Sequence, residues 1–511
     1  MFGAFRRPRA PRIDMRQCTT APDGSDLAAA GGPLANAVLV GGAVRDLLLE
    51  RPLVDLDWLV RDPHARAEAL AAALGGSVVG LDPERGHWRV VAGAKRWDLI
   101  APEPVDAGER PDDGGAAGPA RDPLDPRDPL DPLDPLDPLD PLDPLDPTVL
   151  ERDLLRRDLT INAMAALPDG RLVDPSGGLR DLRARLVRLT GPTVLEADPL
   201  RAWRAVRFAA QLGFRLDEDS AASIAALAGT FLRGARPLPA MERLQAEVSA
   251  CLASDVAGRA MAALDDLGLL EPVLPELTAG RGVGQGGLHH LDVLQHQLEA
   301  LQRLVDAFPA ADAALRWATV LHDVGKPLTR ELDEGDRPRF HGHDAMGAEL
   351  TARALTRLRL PNAVASRAAA LVRAHMRPLP QGERAARRFV HRLRPLLPDL
   401  LRLMVADREA ARGPQASEAG RRRYRLALAE VIRRLEAEPA PAAPLLDGRA
   451  LMAMLGLPPG PAVGAALRAL EEGRAVGEVT NREEAETYLR HMGAAQGWPL
   501  DSRGRDDAGE T

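Results

Sequence analysis

Two aspartates two residues apart, Asp55 and Asp57, lie in the run LVGGAVRDLLLERPLVDLDWLV at residues 39–60. On a β-strand alternate residues share a face, so both carboxylates project together while Leu56, Trp58 and Val60 point to a core. Mg2+ prefers oxygen ligands and keeps positions open for water and phosphate. A carboxylate pair can therefore hold the cations that bind the attacking and leaving oxygens of a phosphoryl displacement. Upstream, Gly41 and Gly42 precede a helix whose N–H groups would point at a phosphate. Arg45, in the first turns, is placed to reach the same phosphates. Asp98, on a later strand, is a candidate third carboxylate. A D-x-D strand or a Gly-Gly turn alone is common, and the two about a dozen residues apart are much more specific.

A second cluster lies downstream. Eight of the eleven histidines fall between residues 289 and 391. His322-Asp323 forms an adjacent pair, with His296 before it and His341, His343, His375 and Asp407 after it. Imidazole mixed with carboxylate suits Ni2+, Mn2+ or Mg2+. Such a cation polarises phosphate and acidifies bound water. Lone helical histidines are usually structural, but so many around one His-Asp pair are poorly explained as core.

The elements that must carry these groups follow from pattern and punctuation. At 511 residues the chain is long enough for three or four domains, and 3% aromatics means cores built of Leu, Ala and Val, which favours helices. Residues 1–30 read as a disordered tail. Residues 31–175 read as a small α/β head: strands at 37–40 and 54–60, a helix at 43–49, and a hairpin over 88–100 turning near Gly93-Ala94. Asp-Pro-Leu triplets fill much of 101–147, and proline every third residue forbids both helix and ladder pairing. Residues 176–285 read as a helical neck and body, with a strand pair near 171–174 and 186–190 at its start and a Gly-rich hinge at 279–287. Residues 286–412 read as a helical histidine domain, and 413–511 as a helical tail domain with a polar end.

Charge and cysteine content bound the partners. The net charge is −8, but the aspartate-rich repeat carries that excess, and the rest of the chain is balanced. A balanced total neither supports nor excludes an RNA partner. The two cysteines, Cys18 and Cys251, form no CxxC, which suits a reducing cytoplasm. No apolar run is long enough for a membrane span, and the N-terminus lacks a signal-peptide core.

The motifs in order resemble the bacterial tRNA nucleotidyltransferase and poly(A) polymerase family, the class II CCA-adding enzymes, with a fused HD domain. GGAVRD and DLD match its first motif, RRDLTINAMA at 156–165 its second, and VDPSGGLRDL at 173–182 its hinge. EADPLRAWRAVRFAAQLGF at 196–214 resembles its nucleobase-reading helix and MERLQAE at 241–247 its next neck motif. The resemblance covers about residues 36–490. It implies an α+β fold in which a nucleotidyltransferase head is followed by a mostly α-helical neck, body and HD domain.

It further implies that Asp55 and Asp57 bind Mg2+, with Gly42, Arg45, Arg157 and Asp158 on the triphosphate and ribose. Asp198 and Arg201, at helical spacing with Arg204 and Arg207, would read the base by presenting a base-like edge to C or A. The implied HD ligands are His296, His322, Asp323 and Asp407, with His343 and His375 as further candidates. That site would serve phosphomonoester or 2′,3′-cyclic phosphodiester hydrolysis on RNA ends. The expected substrates are CTP, ATP and the tRNA acceptor end, and the leading expectation is full CCA addition in the cytoplasm. Two departures bear on it. Ala197 stands where the family commonly has Glu, and no family loop motif is found in 101–147. CC-only, A-only and poly(A) addition therefore remain open, as does an HD phosphohydrolase with a non-catalytic RNA-binding head.

Overall fold

The computed structural model describes residues 12–21, 24–102, 146–286, 290–411, 413, 417–437, 445–496 and 498. The Asp-Pro-Leu repeat and the polar C-terminal end fall almost wholly outside them. The fold is α+β, as the motifs imply, and the chain forms two compact units, 1–239 and 240–511. That division falls inside the segment read as one neck and body.

The first unit is built on a seven-stranded sheet in the order β3-β4-β5-β2-β1-β6-β7. Its strands are β1 (Val38–Val40), β2 (Asp55–Leu59), β3 (Ser77–Asp82), β4 (His87–Ala92), β5 (Lys95–Ile100), β6 (Ala165–Ala166) and β7 (Leu172–Val173). On β2 the buried Leu56 and Trp58 alternate with Asp55 and Asp57, as period-two patterning requires. On the carboxylate face, Val38, Val40, Leu59 and Ala165 pack against Leu150 and Leu154 of a helix, α3 (Pro147–Leu155). Asp146 caps α3 by accepting from Thr148 N and Val149 N. This packing covers one end of the face and leaves the aspartates at the open end. It also delivers Arg157, just past α3, to them. α1 (Gly42–Leu48) follows β1 directly, and α2 (Pro63–Leu74) packs on β4 and β5.

Two expectations change here. Residues 12–21 and 24–30, read as tail, are folded: Cys18, Ala21 and Leu27 are buried and Ile13 N donates to Gly170 O. Sparse apolar anchors were hidden in an Arg/Pro/Gly/Ala-rich composition. The strands near 171–174 and 186–190 exist but do not pair with each other. β7 joins β6, whereas β8 (Leu186–Val187) runs parallel to β9 (Arg215–Leu216). Asp174 accepts from Gly178 N and Leu179 N, so a short helix starts between the two strands and carries the chain away.

In the second unit, α5 (Val293–Ala307), α6 (Ala313–Leu321), α7 (His343–Arg357), α8 (Asn362–Ala374) and α9 (Asp399–Ala410) pack around a Leu-, Ala- and Val-rich core. The Gly-rich 280–286 stretch turns back so that Gly284 bridges Asp292. Helices Gly448–Leu455, Pro461–Ala475 and Arg482–Gln496 close a separate small core around Leu451, Leu470 and Leu489. Among the described residues no helix is long and apolar enough to cross a membrane.

Candidate active sites

Strand register assembles the first site. β2 and β5 run parallel with Asp57 opposite Asp98, so all three carboxylates share a face. β4 and β5 are antiparallel with Arg89 opposite Asp98. The result lines one wall of a cavity of about 510 Å3, which also takes in Gly41, Gly42, Arg45, Arg157, Asp158, Asn162, Arg204, Arg207, Phe208 and Gln211.

Gly41 makes the corner possible. Its φ is +75°, a region that side chains avoid. A Cβ there would lie 2.7 Å from Arg157 Nη1 and 3.3 Å from Asp57 Oδ2. Arg157 is itself tied to Asp153 at 3.0 Å, one helical turn back. Burial raises the Asp57 pKa; Arg157 opposes this, while Asp98 and Asp55 add to it. Like charges crowded on one face, with part of their water removed, form the environment that a divalent cation relieves.

The basic residues differ from their expected geometry. Arg45 is buried, and its guanidinium donates to Asp46 at 2.9 and 2.8 Å and to Asn162 Oδ1 at 2.6 Å. It therefore braces α1 against the 160–162 turn while lining the cavity. Asp158 is also buried, accepting from Arg204 Nε at 2.8 Å, Leu159 N at 2.8 Å and Asn162 Nδ2 at 3.2 Å. Burial pushes its pKa up, but Arg204 and these hydrogen bonds hold it below the ordinary carboxylate value.

Asp198 and Arg201 do not share a helical surface. α4 spans Arg201–Leu212, and Asp198 sits before it in extended backbone, φ −147° and ψ 102°, accepting from Leu200 N. The reason is Pro199, which excludes its preceding residue from helical geometry. Neither Asp198 nor Arg201 is among the residues lining the cavity. The α4 side chains that do line it are Arg204, Arg207, Phe208 and Gln211. Phe208 carries three guanidinium groups over its ring, from Arg45 at 4.8 Å, Arg204 at 5.7 Å and Arg207 at 4.2 Å. Arg89, Asn162, Phe208 and Gln211 went unnoticed in the sequence. Counting back through the Gly93-Ala94 turn would have placed Arg89, and i+4 spacing from Arg204 and Arg207 would have placed the last two.

The second site gathers all six expected HD residues. His296 comes from α5, His322-Asp323 from the end of α6, His343 from the start of α7, His375 from the end of α8 and Asp407 from α9. They fall into two trios, His296/His322/Asp407 and Asp323/His343/His375, with ligand atoms within 4.8 Å in each. Asp323 stands between them, its Oδ2 3.2 Å from His322 Nε2 and its Oδ1 3.4 and 3.6 Å from His343 and His375 Nε2. Three imidazoles are oriented alike: Nδ1 of His322, His343 and His375 lies 2.8, 2.7 and 2.6 Å from the carbonyl three residues earlier. With Nδ1–H donating there, each Nε2 lone pair turns inward, and these buried Nε2 atoms have no hydrogen-bond partner among the described residues. A carbonyl that holds Nδ1–H in this way is what orients metal-ligating histidines, so the donor set fits a divalent cation.

Burial pushes His322 down, but Asp323 and Asp407 lift it to about 10, so a cation taken up at Nε2 would displace a proton there. Burial likewise opposes ionisation of both aspartates, yet the imidazoles, and Lys326 beside Asp323, hold them well below the ordinary range. Gly325 allows the turn: a Cβ there would collide with His343 O and lie 2.7 Å from Gly347 N. Lys326, missed as a site residue, places Nζ 2.6 Å from both Asp323 Oδ2 and Gln285 Oε1. A cavity of about 710 Å3 opens over the ligands, lined by Arg337, Arg339, His341 and Arg408 among others.

Comparison with known proteins decides the family. The poly A polymerase head domain matches residues 139–188, the probable RNA and SrmB-binding site of polymerase A matches 213–280, and the HD domain matches 291–412. An A-adding tRNA nucleotidyltransferase of Deinococcus radiodurans is 49% identical over 89% of this chain and 95% of its own length. The chain belongs to the tRNA nucleotidyltransferase family. A CC-adding tRNA nucleotidyltransferase of Thermus thermophilus is 40% identical to this nucleotidyltransferase over 89% of the chain and 93% of its own length. The crystal structure of the Bacillus stearothermophilus CCA-adding enzyme in complex with CTP shares the fold, with a TM-score of 0.58 at 23% identity over 90% and 94% of the two chains.

Proposed function

We propose that this nucleotidyltransferase adds the terminal A to tRNA 3′ ends, taking ATP as donor. The likeness to an A-adding relative over 89% of the chain carries the specificity, narrowing the full CCA addition that the motifs suggest. The approach of Asp57 and Arg157 to Gly41, in a cavity that Asp55 also lines, supports the chemistry. Asp55 and Asp57 would hold Mg2+, which supplies charge neutralisation at the reacting phosphate. Gly41 keeps the corner open, Gly42 begins the helix whose N-terminus faces the phosphates, and Arg157 stands beside them. Arg45 and Asp158 line the same cavity and also fix α1 and Arg204. Arg204 and Arg207, with Phe208, offer donors and a ring face to the nucleotide, while Asp198 and Arg201 reach the base only if it lies beyond the described cavity. The RNA hydroxyl attacks the α-phosphate and pyrophosphate leaves, a reaction we place in the cytoplasm.

Transcripts ending at the discriminator base, at C and at CC, each given CTP, ATP or both, test this reading. Extension by one A, on the CC-ending transcript alone, is the expected result. Stepwise CCA on the shortest transcript supports the broader activity, and CC on that transcript supports the narrower alternative.

A second reading has its own observation. The inward Nε2 atoms of His322, His343 and His375 support a metal-dependent phosphohydrolase in residues 286–412. His296, His322, Asp323 and Asp407, with His343 and His375, would hold Ni2+, Mn2+ or Mg2+. Metal content of the wild type and of His322→Ala, together with hydrolysis of a phosphomonoester, tests it. Unchanged content and turnover in the variant would remove it.

A further inference from the structure

We propose that Asp98 is not a third metal ligand but the holder of Arg89, and that Arg89 binds the backbone phosphate at the end of the RNA being extended. This rests on the nucleotidyl-transfer reading above. Both oxygens of Asp98 are engaged by the planar fork of Arg89, Nε to Oδ1 at 2.6 Å and Nη2 to Oδ2 at 2.7 Å. His87 Nε2 stands 3.4 Å from the same carboxylate. A carboxylate doubly occupied in this way offers a cation little. It instead fixes one edge of the guanidinium of Arg89, a residue that lines the cavity.

The sheet gives the direction. Reading across it, Arg89 on β4 comes first, then Asp98 on β5, Asp57 on β2 and Gly41 at the end of β1. Arg89 therefore lies two strands from Asp57, about 10 Å, on the side away from Gly41 and α1. In-line displacement puts the attacking and leaving oxygens on opposite sides of the phosphorus. If pyrophosphate leaves toward Gly41, Arg157 and the N-terminus of α1, the RNA hydroxyl must arrive from the β5–β4 side. The phosphate one ribose behind that hydroxyl then meets Arg89, which among the described residues lines the cavity on that side, whereas Arg96 on β5 is directed to Asp55 at 3.6 Å and is not part of the lining. Arg157 and Arg89 thus divide the work, one on the nucleotide side and one on the RNA side.

The test uses the full chain and a CC-ending tRNA transcript, with transcript, ATP and Mg2+ each varied separately. Loss of one charge-assisted contact predicts that Arg89→Ala raises the KM for transcript by roughly tenfold or more. The KM for ATP and the half-saturating Mg2+ stay within about twofold by the same reasoning. The salt dependence of transcript binding flattens by about one phosphate contact. Asp98→Asn, which cannot hold the fork, shifts the KM for transcript the same way, and Arg89→Lys lies between.

An Asp98→Asn protein that demands roughly tenfold more Mg2+ with an unchanged transcript KM makes Asp98 a metal ligand and overturns the proposal. So does an Arg89→Ala protein with wild-type transcript affinity. If Arg89→Ala fails to fold, Arg89→Lys and Asp98→Asn decide the matter. Equilibrium binding of the transcript, read by fluorescence anisotropy without ATP, keeps Arg89 testable should the wild type extend nothing. That last result would refute the transfer reading separately.

Discussion

Replacing Gly41 by Ala tests the corner that brings nucleotide chemistry together. The glycine has φ +75° and ψ −138°, a conformation that costs an L-residue about 1–3 kcal/mol. The new Cβ would also stand 2.7 Å from Arg157 Nη1, closer than real Cβ atoms come, so the guanidinium must retreat. Its anchor Asp153 leaves it little room. The backbone cost alone lowers the melting temperature of the first unit by about 2–10 °C, read by calorimetry. The displaced Arg157 adds a kinetic defect. A shift of about 1 Å at a reacting centre costs up to about 100-fold, so kcat/KM for A addition should fall by about 10- to 100-fold. Gly42 is the matched control for stability. It starts α1 and a Cβ there meets Arg45 Nη2 at an ordinary 3.4 Å, so Gly42→Ala should melt at or slightly above the wild type. A Gly41→Ala protein with wild-type melting and wild-type rate would refute the reasoning.

Other outcomes follow from the same contacts. Arg204→Ala strips buried Asp158 of its ion-pair partner and should cost about 1–3 kcal/mol by urea denaturation at pH 7. Because the folded-state pKa of Asp158 is depressed, its contribution is present above the unfolded value of about 3.9 and is lost as pH falls through the folded value, so the gap between variant and wild type should narrow in acid. A gap that widens there would contradict the assignment. Leu154→Ala should cost about 2–5 kcal/mol and slow A addition as well, because α3 carries Arg157 to the carboxylates; lost stability with no loss of rate would separate the two. His343→Ala should lower bound Mn2+ per chain, measured by mass spectrometry, while A addition continues, and an unchanged metal content would remove His343 from the ligands.

What the sequence made legible was local. The alternation of Leu56 and Trp58 with Asp55 and Asp57 shows on the page as a half-buried strand, and Gly93-Ala94 shows as its hairpin partner's turn. That turn even contains the Arg89–Asp98 pairing, because a two-residue loop sets the register of both strands. The base-reading surface misled because a spacing of three was taken as helical across Asp198-Pro199, where proline forbids it. Arg45 was legible as a residue of the phosphate corner, and its ties to Asp46 and Asn162 were not, because those depend on tertiary packing. The two-residue strands at 172–173 and 186–187 are too short for periodicity, so only tertiary packing chooses their partners. The six candidate HD ligands were visible as residue types. Their inward Nε2 atoms were not, because those depend on carbonyls at the ends of separate helices.

The most direct test of the account extends a CC-ending tRNA transcript with ATP and Mg2+, comparing the full-length protein with Asp57→Asn at single-nucleotide resolution. The account predicts one added A by the wild type and none by the variant over the same time. An Asp57→Asn protein that adds A at the wild-type rate would contradict the assignment of catalysis to the carboxylate pair.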